Sequence, residues 1–245
     1  DVPNNDPRIK EFGIAPKKYP TIRYTLQTED SDNKVFRISL EDLTVDSLAE
    51  IIDASDVQYD LLFLAFDKLR NEKKLVTIDN LLSSVESVAA EWGFAKRTSL
   101  SLSRKLRMLT KIKIFGKTPN IEDLIQPGVL TILDISSDVE EKIKISLVGV
   151  LLDMLFRAKK SGKYNHDVLV VVEESHRFAP QDRECYSKKV MRRIAREGRK
   201  FGIGLCLTSQ RIVGLDKDVI SQCGTKIILK IDSKTDLDYI RPYLS

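Results

Sequence analysis

The sequence predicts an α/β protein with a mainly parallel sheet and a helical subdomain set ahead of its most apolar strand. Three observations lead there. From Pro127 onward, strand-like and helix-like segments alternate, and repeated alternation implies right-handed crossovers between parallel strands. From Glu41 to Gln126 the apolar residues recur at helical spacing instead. The run VLVVV, Val168 to Val172, is apolar without alternation, as expected of a strand covered on both faces.

The first stretch, residues 1–40, holds two short β-like runs, Thr21 to Leu26 and Lys34 to Leu40, separated by the turn-rich TEDSDN. They read as a hairpin or two edge strands. Residues 41–126 read as a helical subdomain of roughly four helices. YDLLFLAFDKL, Tyr59 to Leu69, is apolar almost all round and belongs at the centre of that group. Leu81, Leu82, Val85, Val88, Ala89 and Trp92 form one apolar stripe that stops at Gly93. Leu102, Leu106 and Leu109 repeat the pattern after the cap signal Thr98-Ser99.

Residues 127–245 read as the α/β core. GVLTILDIS supplies a strand near Val129 to Ile135, and an amphipathic segment runs from about Val139 to Lys160. After VLVVV come a basic helix near Tyr186 to Glu197 and the strand IGLCLTSQ, Ile203 to Gln210. A short helix near Lys217 to Gln222 then leads to TKIILKI, Thr225 to Ile231. The four core strands are expected side by side in one sheet.

The 245 residues can bury a sizeable core. A hydrophobic fraction of 42% excludes general disorder, and 31% charged residues imply a well-solvated surface. Forty Lys and Arg against 36 Asp and Glu give a net charge of +4, which permits nucleic acid as a partner without arguing for it. No stretch approaches ~20 uncharged apolar residues, so a membrane span is not expected. Cys185, Cys206 and Cys223 are odd in number and lack metal-type spacing. They read as core or near-core thiols of a protein in a reducing, cytoplasmic compartment. The first methionine is Met108 and the polar opening DVPNNDPRIK has no apolar leader core, so the chain reads as part of a longer protein.

Chemistry is expected at the carboxyl ends of parallel strands. VLVVV ends in two acids, Glu173 and Glu174. That is the pattern of a Walker B element, in which one carboxylate holds the Mg²⁺ shell and the next polarises the attacking water. A strand running into a solvated loop would carry the same two acids. The next strand ends in Ser209 and Gln210, placed where a sensor could register loss of the γ-phosphate. In KKVMRRIAREGRK, Arg192, Arg196 and Arg199 fall at i, i+4 and i+7, with Arg193 and Lys200 beside them. Such a ridge suits phosphate-backbone contact, an arginine finger offered to a neighbouring subunit, or a merely solvated face.

No phosphate-cradling loop accompanies these groups. Gly116-Lys117-Thr118 ends like a P-loop, but Lys111 stands at the required first glycine and a proline follows. Gly162-Lys163 is followed by Tyr164 and fails too. Of the two histidines, His166 lies in a turn and His176 follows the acids. Two rival readings remain: a catalytically silent assembly or DNA-binding module, and a Mg²⁺-dependent nuclease to which Asp134 would add a carboxylate.

VVVEESHRFAP, then IAREGRKFGIGLCLTSQR, then DKDVISQCGTKIILKI, resembles the HerA family, archaeal relatives of the FtsK-type hexameric DNA translocases. The resemblance is dense from Val168 to Ile231, and residues 1–126 agree only in layout. It implies a RecA-like P-loop NTPase core, ATP and Mg²⁺ as cofactors, a homo-hexamer acting on double-stranded DNA, and a NurA-type nuclease partner in end resection. It assigns Glu173 to the Mg²⁺-associated acid, Glu174 to catalysis, Gln210 to the sensor position, and Arg199, less directly Arg196, to the trans-acting finger, with Ser209 beside Gln210 read as cofactor-binding. Arg192, Arg193 and Lys200 are left for DNA or the subunit interface. The family's Walker A loop and N-terminal barrel have no counterpart in this sequence. The resemblance therefore points to the C-terminal part of the motor, expected to be inactive alone. It also implies strand edges left unpaired where the P-loop strand would lie.

Overall fold

The computed structural model describes residues 7–13, 15, 18–26, 33–112, 114–136, 139–231 and 233–243. Most of the opening DVPNNDPRIK and of the TEDSDN turn lies outside the described residues.

The strands are parallel, and they form two sheets. Strand β1 (Thr21–Thr25) lies between β2 (Lys34–Val35) and β3 (Leu130–Asp134), pairing Thr21 with Leu130 and Thr25 with Asp134. Strands β4 (Val168–Val172) and β5 (Ile203–Leu207) pair in parallel from Val168↔Ile203 to Val172↔Leu207. Two expectations are corrected here. The first two runs do not form a hairpin, since β1 and β2 are parallel. The four core strands do not share one sheet, because β3 takes β1 as its partner and residues 225–231 form no strand among the described residues. Apolar runs specify strands but not neighbours, and pairing is decided by a non-local edge. For β3 that edge is β1, and Arg23 Nη2 holds Asp134 Oδ2 across it at 2.8 Å.

The helical group follows β2. It comprises α1 (Val45–Ile51), α2 (Asp56–Asn71), α3 (Ile78–Trp92) and α4 (Lys96–Leu109). Helix α2 starts in a reciprocal capping box, Ser55 with Gln58, and α1 does the same with Thr44 and Ser47. Leu61, Leu62, Ala65, Phe66 and Leu69 of α2 are buried. At ~1.5–3 kcal/mol per large side chain, this face anchors the group. Phe63 on the opposite side is half-exposed, so α2 is not enclosed all round. Helix α3 ends at Gly93 in the left-handed conformation, φ 72°, as its sequence predicts. Helix α4 begins earlier than Thr98-Ser99 suggested, at Lys96, and has no side-chain cap. Its start follows the tight turn after Gly93, and Leu102, Leu106 and Leu109 pay for the missing cap through burial.

After the single turn α5 (Ile121–Leu124) and β3, the long helix α6 (Glu141–Lys160) packs against α7 (Tyr186–Glu197). Their close approach depends on Gly149, where a Cβ would stand 2.8 Å from the Ser187 backbone nitrogen and 2.7 Å from the Tyr186 ring. Gly149→Val is expected to cost about 1–3 kcal/mol through overpacking, read as a lowered urea midpoint with an unchanged slope. The same junction ties the helical group to the core. The Tyr186 backbone N–H donates to Glu50 Oε2 of α1 at 2.7 Å, and the Tyr186 hydroxyl donates to buried Asp153 at 3.1 Å. Burial, with Asp153 alongside, pushes the Tyr186 phenol up to about 12. Short helices α8 (Lys217–Gln222) and α9 (Lys234–Ile240) complete the chain as described.

Among the described residues, helices cover only one face of the β4–β5 sheet. Val172 and Ile203 are buried, while Leu169 is 70% and Val171 54% exposed. The expectation that VLVVV is covered on both faces is therefore corrected. Cys206 lies exposed on β5, whereas Cys185 is buried and Cys223 half-buried. Among the described residues no helix is long and apolar enough to cross a membrane.

Candidate active site at the ends of β4 and β5

Because β4 and β5 are parallel and in register, their carboxyl ends place Glu173-Glu174 next to Thr208-Ser209-Gln210. Glu173 and Gln210 are exposed, and Glu174 and Ser209 are partly buried. The two ends are joined by backbone and side chain. Thr208 N–H donates to Val172 C=O at 3.0 Å, and Ser175 N–H returns to Thr208 C=O at 2.9 Å. The fully buried Ser175 hydroxyl donates to that same carbonyl at 2.9 Å.

Glu174 occupies the left-handed region, φ 47° and ψ 42°. A side chain there costs of order 1–2 kcal/mol, and such residues persist where their surroundings over-determine them. Ser175 supplies that determination, and the bend turns the chain into the 3-10 turn Ser175–Arg177. His176 sits above it with Nδ1 2.9 Å from Ser209 Oγ and 3.3 Å from Glu174 Oε2. Arg177 makes a two-pronged ion pair with Glu141 at the start of α6. The hydrogen-bonded Arg177 holds the Glu141 carboxyl below its ordinary range. Position alone points to His176, and no motif in the sequence points to Arg177. Nothing local predicts its partner, 36 residues away.

The basic helix has mostly internal partners. Arg192 grips Asp216 with Nε at 2.9 Å and Nη2 at 2.7 Å, and reaches Glu184 at 3.0 Å. Arg193 pairs with buried Asp153 and lies 4.6 Å from the Phe156 ring centroid. Exposed Arg196 stands 3.7 Å from Asp218. Arg199 and Lys200 are exposed and have no ion-pair partner among the described residues. They lie in the 3-10 turn Gly198–Phe201, at the amino end of β5. Glu174 is at the opposite end, and five strand residues span about 16 Å. Arg199 therefore does not meet the Glu174 site of its own chain.

Other candidates separate from the site. Asp134 belongs to the other sheet, where Ser136 and then Arg23 hold its carboxyl at about 2. No group of three or more His, Cys, Asp or Glu gathers to hold a metal among the described residues. Gly116 and Thr118 pack against residues 38–42, with Thr118 Oγ1 donating to Asp42 Oδ2 at 2.5 Å, and no long helix follows them. His166 stacks edge-on with Tyr164, and its carbonyl accepts from Lys159.

Comparisons with known proteins fit this arrangement. The chain is 32% identical over 225 residues to the DNA double-strand break repair helicase HerA of Saccharolobus solfataricus, covering 79% of this chain and 43% of that protein. It is 29% identical over 261 residues to the protein of the same name from Pyrococcus furiosus, covering 83% and 47%. The chain belongs to the HerA family. No family model matches it. This HerA-family chain spans about half the length of the curated relatives it matches. VirB4 of Thermoanaerobacter pseudethanolicus superposes with a TM-score of 0.60 at 14% identity, over 82% of this chain and 59% of that one. The fold is thus α/β with parallel strands, as in that structure.

Proposed function

We propose that the chain is part of an ATP-driven, homo-hexameric translocase or helicase acting on double-stranded DNA in the cytoplasm. By the family's pattern it works in double-strand-break end resection with a NurA-type nuclease. One observation carries the nucleotide reading: parallel strands β4 and β5 present Glu173-Glu174 and Ser209-Gln210 side by side at their carboxyl ends. The relatives named as double-strand break repair helicases support DNA as the track.

Each residue has a role in that reading. Glu174 orients and polarises the water that attacks the γ-phosphate, held at its strained backbone position by Ser175. Gln210 and Ser209 sense the presence of that phosphate. Exposed Glu173, which belongs to no group of three or more metal-ligating side chains among the described residues, fits a Mg²⁺ held mainly by phosphates and water. Bound there, Mg²⁺ would neutralise charge on the phosphates. Arg199, with Arg196 beside it, serves a neighbouring subunit, while Lys200 is free for DNA or the interface. Arg192 and Arg193 would have to leave Asp216 and Asp153 to bind DNA, so a structural role suits them better.

Those two internal pairs also suit the second reading, a catalytically silent assembly or DNA-binding module in which these arginines are architectural. DNA-stimulated ATPase of the full-length protein separates the two. The motor reading expects Mg²⁺-dependent turnover that Glu174→Gln abolishes, and the silent module expects no turnover in either. The 245 residues alone, with no phosphate-cradling glycine loop in their sequence, are expected neither to bind ATP tightly nor to hydrolyse it. Isothermal titration calorimetry and a phosphate-release assay check both points.

A further inference from the structure

Hydrogen-bond accounting favours one direction for the contact between His176 and both strand ends. Ser209 Oγ already donates to Arg211 C=O at 3.1 Å and accepts from Arg211 N–H at 3.1 Å. With its one proton on that carbonyl, it acts toward His176 as an acceptor. The Glu174 carboxylate, 3.3 Å from the same Nδ1, accepts only. In that arrangement Nδ1 carries the proton and shares it between Glu174 Oε2 and Ser209 Oγ. The ring is also fixed in place. The Gly214 turn leaves it room, a Cβ there standing 3.4 Å from the His176 Cβ, and Ser175 locks the backbone beside it.

We propose that His176 is a positioning residue for Glu174 that couples it to the end of β5. One N–H serves two acceptors on different strands. When Ser209 draws closer, the proton is diverted from Glu174. When the Ser209–Arg211 turn withdraws, the proton goes wholly to the carboxylate and fixes its rotamer. A sensor at the end of β5 would in this way set the orientation of the acid at the end of β4. This rests on the nucleotide reading of the site, and adds to it a link between sensor and glutamate.

The test uses the full-length protein and four forms: wild type, His176→Ala, His176→Asn and Glu174→Gln. Asparagine places an N–H close to the position of Nδ1, whereas alanine supplies none. His176→Ala is expected to lower kcat for DNA-stimulated ATP hydrolysis by about 10- to 100-fold, with KM for ATP within about threefold of wild type. His176→Asn is expected to recover most of the loss. A structural defect would not produce that split or that rescue, and thermal melts of each variant check folding. If His176→Ala turns over like wild type, or His176→Asn is as slow as His176→Ala while melting normally, the coupling is wrong. If Glu174→Gln itself keeps full turnover, the nucleotide reading falls first and this inference with it. If Glu174→Gln is dead and His176→Ala is normal, only the coupling falls.

Discussion

Asp216→Ala is expected to destabilise the protein by about 3–5 kcal/mol, the cost of leaving buried cations without their counter-ion. Asp216 is 1% exposed. It receives two hydrogen bonds from Arg192 and stands 3.3 Å from the buried Lys188 ammonium. It also caps α8 by accepting from Val219 N–H at 3.2 Å. Lys188 keeps Arg183 C=O and the half-exposed Glu184 as its other partners, too little to hold a charge buried beside Arg192. Lost capping adds about 1 kcal/mol. Asp216→Asn keeps a capping oxygen and loses the charge, so it should fall between alanine and wild type in urea denaturation.

The pH dependence carries a sign. Burial works against ionisation of Asp216, but the Arg192 hydrogen bonds, the Val219 N–H and the nearby cations outweigh it and hold its carboxyl below the ordinary value. A depressed carboxylate contributes stability above its unfolded value, ~3.9, and loses it as pH falls through the folded value. The gap between wild type and Asp216→Asn should therefore be full at pH 7 and narrow below about pH 4. A gap that widens on acidification would mean Asp216 is not the ionised centre of the cluster.

Local signals in the sequence were reliable where a short stretch decides its own structure. Gly93 ends α3 because only a residue tolerant of positive φ closes that helix, and Tyr186–Glu197 and Lys217–Gln222 form helices as their spacing predicts. The acids after β4 and the polar pair after β5 were legible because parallel neighbouring strands bring their ends together. Partners were not legible. TIRYT carries no mark that sends it to β3 rather than to β2 as a hairpin, and TKIILKI has strand chemistry but forms no strand among the described residues. Ile227 and Leu229 accordingly stand more than 80% exposed. The basic ridge misled for the same reason. Arg192 looks free along the helix, but its counter-ion, Asp216, is 24 residues further on. His176 meets Ser209 across 33 residues, a contact that only the β4–β5 register creates.

The proposed motor predicts that Arg199→Ala lowers ATP turnover of the full-length protein by ~10³–10⁵, the typical loss when a transition-state arginine is removed, while leaving the proposed ring intact. Arg199 is exposed, has no ion-pair partner among the described residues, and sits a strand's length from its own Glu174. An arginine so placed can reach a γ-phosphate only on a neighbour. Glu174→Gln should abolish turnover as well, but from within its own subunit. Mixing the two dead proteins and allowing subunits to exchange then distinguishes the roles. Some interfaces of a mixed ring pair a wild-type Glu174 site with a wild-type Arg199 donor, so partial activity should return. Native mass spectrometry checks that mixed rings have formed. If both residues acted in one subunit, every subunit would stay defective and mixing would restore nothing. A surface phosphate contact gives a third pattern. Arg199→Ala would then keep full turnover at saturating DNA, bind DNA more weakly, and reduce the salt slope of binding by about 1.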